Sequence, residues 1–114
     1  MAVFVSNIVI EQGFDFETTF ELEDSNTNLP LNLSGYTINS QIRKTYSSSI
    51  FTVVNTNIVG DGTNGIISIS LASTITEGIK PGRYVYDVKL TSPGETSITK
   101  AVEGSAIVRG GVTR

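Results

Sequence analysis

The chain has 114 residues, 39% hydrophobic and 17% charged, with a net charge of -3 and neither Cys nor His. That length allows one buried core and is short for two. Without Cys and His there is no disulfide frame, no thiolate metal site and no imidazole base, and an acidic balance argues against reading a phosphate backbone, which needs clustered Lys and Arg.

In chain order, seven segments alternate apolar and polar residues at period two between Gly, Pro, Asn or Ser, which predicts strands throughout. The first, VFVSNIVIE, follows Met1 and Ala2 with no basic leader and reads as a strand rather than a signal peptide. In the second, DFETTFELE, Phe16, Phe20 and Leu22 share one face with Thr18, while Asp15, Glu17, Glu21 and Glu23 share the other with Thr19. The inward face is therefore the aromatic one. YTINSQIRK turns Tyr36, Ile38 and Ile42 inward, IFTVVNT follows, GIISISL contributes Ile67, Ile69 and Leu71, and RYVYDVKL contributes Tyr84, Tyr86, Val88 and Leu90. ITKAVEGSAIVR is the last. DSNTNLP, LNLSG and SPGE are turns, and ASTITEGIKPG has room for one helical turn ended by Pro81. No run approaches the length of a membrane span.

Several short motifs dissolve in this context. Gly60-Asp61-Gly62-Thr63-Asn64-Gly65 has the spacing of a dinucleotide fingerprint, but a strand rather than a helix follows it. With no helix N-terminus to meet a pyrophosphate, the glycines are predicted to be positive-φ positions of a hairpin loop. Ser97 and Lys100 have the spacing of serine acyl-transfer enzymes, yet residues three apart on a strand point to opposite faces. The acidic row raises a glycosidase or calcium reading, but a flat outer face has no cleft to shift a carboxyl pKa, so it is expected to be solvated or to meet a basic partner. Asn32-Leu33-Ser34 matches a glycosylation acceptor, and Arg109-Gly110-Gly111 alone does not make an RNA binder. PGRYVYDV is more specific: immunoglobulin-like sandwiches place a Tyr two residues before an inward position of the sixth strand, its hydroxyl tied to the preceding connection, and Tyr84 and Tyr86 have that spacing. The fold class expected is an all-β, immunoglobulin-like β-sandwich of about seven antiparallel strands, a single domain over residues 1–114.

Taken in order, IEQGFDF, LNLSGYT, QIRK, GIISISL, PGRYVYDV, VEGSAIV and VTR resemble the small immunoglobulin-like structural proteins of tailed bacteriophages, among them the N-terminal domains of baseplate upper proteins and short virion proteins of marine phages. The resemblance implies a virion protein without enzymatic activity or cofactor, assembled in the host cytoplasm. Its implied role is an adaptor of the tail or baseplate, with capsid decoration as the alternative and a host-surface carbohydrate-binding module as a second alternative. For that last reading Tyr46, beside three serines, is the clearest outward aromatic. The partners implied are other virion proteins in a symmetric assembly, with no nucleic acid, membrane or small-molecule substrate. Contacts are expected from the terminal segments 1 to 7 and 109 to 114, through Met1, Ala2, Val3, Phe4, Arg109, Val112 and Arg114, and from the acidic face of Asp15, Glu17, Glu21 and Glu23.

Overall fold

The computed structural model describes residues 4–24, 27–95 and 97–112, Phe4 by its backbone alone. It is all-β, as expected. The strands are β1 (Phe4–Val5), β2 (Ile8–Glu11), β3 (Phe16–Glu21), β4 (Thr37–Arg43), β5 (Phe51–Ile58), β6 (Ile66–Leu71), β7 (Gly82–Thr91) and β8 (Ile98–Arg109). A helical turn, α1 (Ser73–Thr76), lies between β6 and β7, inside the segment predicted to hold one.

The order of strands is β1-β8-β7-β4-β5-β6-β3, with β2 also on β8. Among the described residues there are eight strands, and one detail corrects the expectation: β1 and β2 run parallel to β8 while the other pairs are antiparallel. Nor are there two separate sheets. Phe51 to Val54 pair with β4 and Asn55 to Ile58 pair with β6, so β5 carries one continuous sheet round the core. A β4 half (β1, β2, β8, β7, β4 and the start of β5) and a β3 half (the end of β5, β6 and β3) thus share a single strand.

The alternation read from the sequence fills the interior. Ile38, Ile42, Tyr86, Val88, Leu90, Val102, Ala106 and Val108 come from the β4 half, and Phe20, Ile67, Ile69 and Leu71 from the β3 half, all in one buried cluster. Phe16, Tyr36 and Tyr84 pack against its margin. Burying one such aliphatic side chain contributes about 1.5–3 kcal/mol, which is why one continuous cluster can hold so short a chain.

The first predicted strand is interrupted at Ser6 and Asn7, and the cause is a close backbone approach. A Cβ on Gly104 would lie 2.0 Å from the Ser6 carbonyl oxygen. The interruption is tied rather than loose: Ser6 N donates to Glu103 O at 2.9 Å, Ser105 N donates to Asn7 Oδ1 at 3.0 Å, and the Tyr86 hydroxyl donates to Ser6 O at 2.6 Å. The Tyr84 hydroxyl donates to Lys80 O at 2.7 Å, the tie to the preceding connection that the PGRYVYDV spacing predicts.

Candidate functional site

The glycine-rich stretch forms the loop between the antiparallel β5 and β6, with Gly60, Gly62 and Gly65 at φ of 71°, 92° and 68°. Only glycine takes these values at no steric cost, so the hairpin reading holds. Asp61 Oδ1 accepts from Thr63 Oγ1 at 2.7 Å and from Thr63 N at 3.0 Å. Those bonds, the side-chain one foremost, hold its carboxyl below the usual range. The Thr63 N–H and hydroxyl and the Gly65 N–H are thus spent on acceptors within the loop. Lys100 Nζ lies 3.8 Å from Asp87 and 3.6 Å from Glu103, an amine held by carboxylates on its own sheet. Ser97 N meanwhile donates to Ser92 Oγ at 2.8 Å.

The acidic row divides. Asp15 Oδ1 accepts from Ser73 N at 2.7 Å and so closes the start of α1, a structural duty that the alternation did not reveal. Thr76, fully buried, completes the same clamp: its hydroxyl accepts from Gly13 N at 3.1 Å and donates to Phe14 O at 2.9 Å. Glu17 and Glu21 are exposed on β3, and Glu23 stands just beyond, at an isolated bridge to Pro30. Among the described residues β3 pairs with β6 alone, so these carboxylates line an edge strand.

The terminal residues need correction. Phe4 pairs with Val102 in β1, and Arg109 ends β8, ion-paired to Glu11 opposite it, with its carbonyl accepting from Gln12 N at 2.8 Å. Both belong to the sheet and not to loose arms. Gly111 is buried too, since a Cβ there would lie 2.7 Å from Gln12 O and 2.8 Å from the Phe14 ring. A protruding C-terminal segment therefore begins no earlier than Val112, which is 96% exposed. Met1, Ala2, Val3 and Arg114 lie outside the described residues.

The most site-like surface was not foreseen. Among the described residues Phe51 to Val54 of β5 pair with β4 alone, so the other edge is open there. Around it stand Tyr46, Ile50, Phe51 and Val53, at 73%, 82%, 45% and 61% exposure. Arg43 fixes the platform: its guanidinium donates to Ser48 O and to Gln41 Oε1 at 2.9 Å, and stacks 4.7 Å from the centre of the Phe51 ring. On the inner side of the same edge a mouth of about 380 Å³ is lined by Ile42, Ile50, Phe51, Pro81 and Tyr84 and rimmed by Lys44 and Lys80. Lys44 Nζ sits 4.8 Å above the Tyr84 ring and passes over Gly82, where a Cβ would fall 2.9 Å from the amine and push the lysine tip aside. On the outer side Gln41, Arg43, Tyr46, Val85 and Asp87 line a smaller depression of about 230 Å³, which is where the outward Tyr46 is found. The sequence held a signal for this surface: IFTVVNT is apolar on both of its faces at Phe51, Val53 and Val54, and Arg43-Lys44 are adjacent cations at a strand end.

Among the described residues no group of three Asp or Glu side chains is placed to hold a metal ion, and no helix is long and apolar enough to cross a membrane. No family model matches the chain, and no curated protein does. A solved structure described as a family 123 glycoside hydrolase from Clostridium perfringens is similar over 100% of this chain, at 15% identity and a TM-score of 0.44. The chain spans 24% of that structure's length, and a likeness this low carries no activity across. The expected station in a virion, in tail, baseplate or capsid, is corrected and not retained: a structural match over this chain is to part of a glycoside hydrolase.

Proposed function

We propose that the domain is a non-catalytic protein-interaction module that docks a partner along the open edge of β5. The observation that carries this is one strand segment, Phe51 to Val54, with an unpaired edge and four exposed apolar side chains, Tyr46, Ile50, Phe51 and Val53, gathered beside it. An apolar centre with a polar and cationic rim is the anatomy of a protein interface, and an open edge supplies main-chain donors and acceptors for an added strand. Arg43 holds the platform in place before binding, which lowers the entropic cost of docking.

The scaffold reading that goes with this is an immunoglobulin-like sandwich. It is supported by the parallel pairing of the first and last strands, by the passage of β5 from one half to the other and by the Tyr84 hydroxyl on Lys80 O.

The test is capture of partners by immobilised protein against a Phe51→Ser, Val53→Asp variant whose melting temperature is checked first. Binding lost with the fold intact supports the reading. Equal capture by both proteins would falsify it.

A further inference from the structure

We infer that the partner of the β5 mouth is a second copy of this chain, entering with its acidic β3 edge; this rests on the β5 edge being a docking surface. The ground is how the charge is distributed. All eight Lys and Arg residues are Arg43, Lys44 and the six from Lys80 onward, so residues 12–42 and 45–79 carry none. Residues 12–42 hold five carboxylates, Asp15, Glu17, Glu21, Glu23 and Asp24, and β3 lies among them. The cationic rim of the mouth and the acidic β3 edge therefore stand on different edges of the same molecule.

Neither set is ion-paired among the described residues. Among the described residues, Lys44 and Lys80 have no carboxylate within salt-bridge distance, and Glu17, Glu21 and Glu23 have no cation. Asp15, committed to Ser73 N, is not part of the docking set. The backbone matches as well as the charge: among the described residues no strand pairs with β3 on the Glu17, Thr19 and Glu21 side away from β6, nor with Phe51 to Val54 on the side away from β4. Laying one edge on the other with the two strands parallel adds a strand to each sheet and turns the Glu17 and Glu21 face of β3 to the side of the mouth that Lys44 and Lys80 rim. Because the two surfaces differ, each copy donates one and accepts with the other. The contact is head to tail, giving a ring where the rotation closes and a filament where it does not.

Sedimentation velocity on the whole chain tests this at about 50 mM and about 500 mM salt, where the screening length falls severalfold. The expected result is association at low salt, weakened roughly tenfold or more at high salt. Lys44→Glu with Lys80→Glu should abolish it, and so should Glu17→Lys with Glu21→Lys. An equimolar mixture of the two reversed variants should associate again, which misfolded variants could not do. A wild-type chain that stays monomeric at low salt up to ~1 mM overturns the inference, because a contact weaker than that is no specific interface. So does a mixture that stays monomeric while both variants melt like the wild type. If self-association is absent but Phe51→Ser, Val53→Asp still abolishes capture of another protein, the second copy is ruled out while the docking edge stands.

Discussion

On the β3 half, the outward Glu17, Thr19 and Glu21 lie in register with Ser70, Ser68 and Ile66, an exposed polar row without a cation beside a less exposed strand. On the β4 half, Arg43, Gln41 and Asn39 lie in register with Val85, Asp87 and Lys89, a surface of both charges interrupted by apolar groups. Behind these different exteriors the inner positions are interchangeable in kind: Ile67, Ile69 and Leu71 on one side, Val88, Leu90 and Ile42 on the other. The difference teaches where selection for folding ends. Interior positions are held to one pattern by the shared core, whereas the outward ones tolerate opposite characters at little cost in stability and so can carry recognition.

Five comparisons of variants with the wild type break or sharpen that contrast. The largest effect is expected from Tyr86→Asp, which buries an unpaired carboxylate and removes the hydroxyl that donates to Ser6 O. A loss of more than about 4 kcal/mol should leave no cooperative thermal transition. Ile69→Ala on the β3 half should cost about 2–5 kcal/mol in denaturant unfolding, while Glu17→Gln with Glu21→Gln on the outer side of the same half should shift it by less than about 0.5 kcal/mol. Equal costs would mean that inside and outside are not distinct there. Thr76→Val should cost about 1–3 kcal/mol, since it strands Gly13 N and Phe14 O where the hydroxyl now serves both. Hydrogen exchange at Gly13 should rise with it.

The smallest effects are in pH. Burial raises the Tyr86 hydroxyl above its ordinary 10.0, so the folded state keeps the proton that the unfolded chain gives up. Its contribution is whole below about pH 10 and is lost as pH rises through the raised value. Asp61 has the opposite sign: a depressed carboxyl supports the loop above the ordinary 3.8 and ceases to do so as pH falls through its lowered value. Acid unfolding of Asp61→Asn should be slightly less steep than that of the wild type. An alkaline midpoint that does not move in Tyr86→Phe would remove the first of these two claims.

Much of the interior was legible because period-two alternation states which side chains share a face, and the margins of β8 and the spacing of Tyr84 followed from it. What stayed hidden were relations between distant segments. Nothing local says that Gly104 meets Ser6, that Asp15 will cap a turn 58 residues away, or that Arg109 will lie opposite Glu11. The open edge of β5 was hidden for the same reason, since whether a strand has two neighbours or one is decided by topology. Composition hinted at it only through apolar residues on both faces of IFTVVNT.

The parallel course of β1 and β2 along β8 has a mechanical consequence. Because the strands run the same way, Phe4 and Arg109 lie at opposite ends of the paired ribbon. A pull on the two ends of the chain drags the first and last strands past each other instead of peeling them apart. The bonds from Ser6 N to Glu103 O and from Gln12 N to Arg109 O, with the ladder between them, then share the load at once. A domain strung between two attachments in this way resists tension collectively, and the grip of Tyr86 on Ser6 acts as a latch at the middle of the seam.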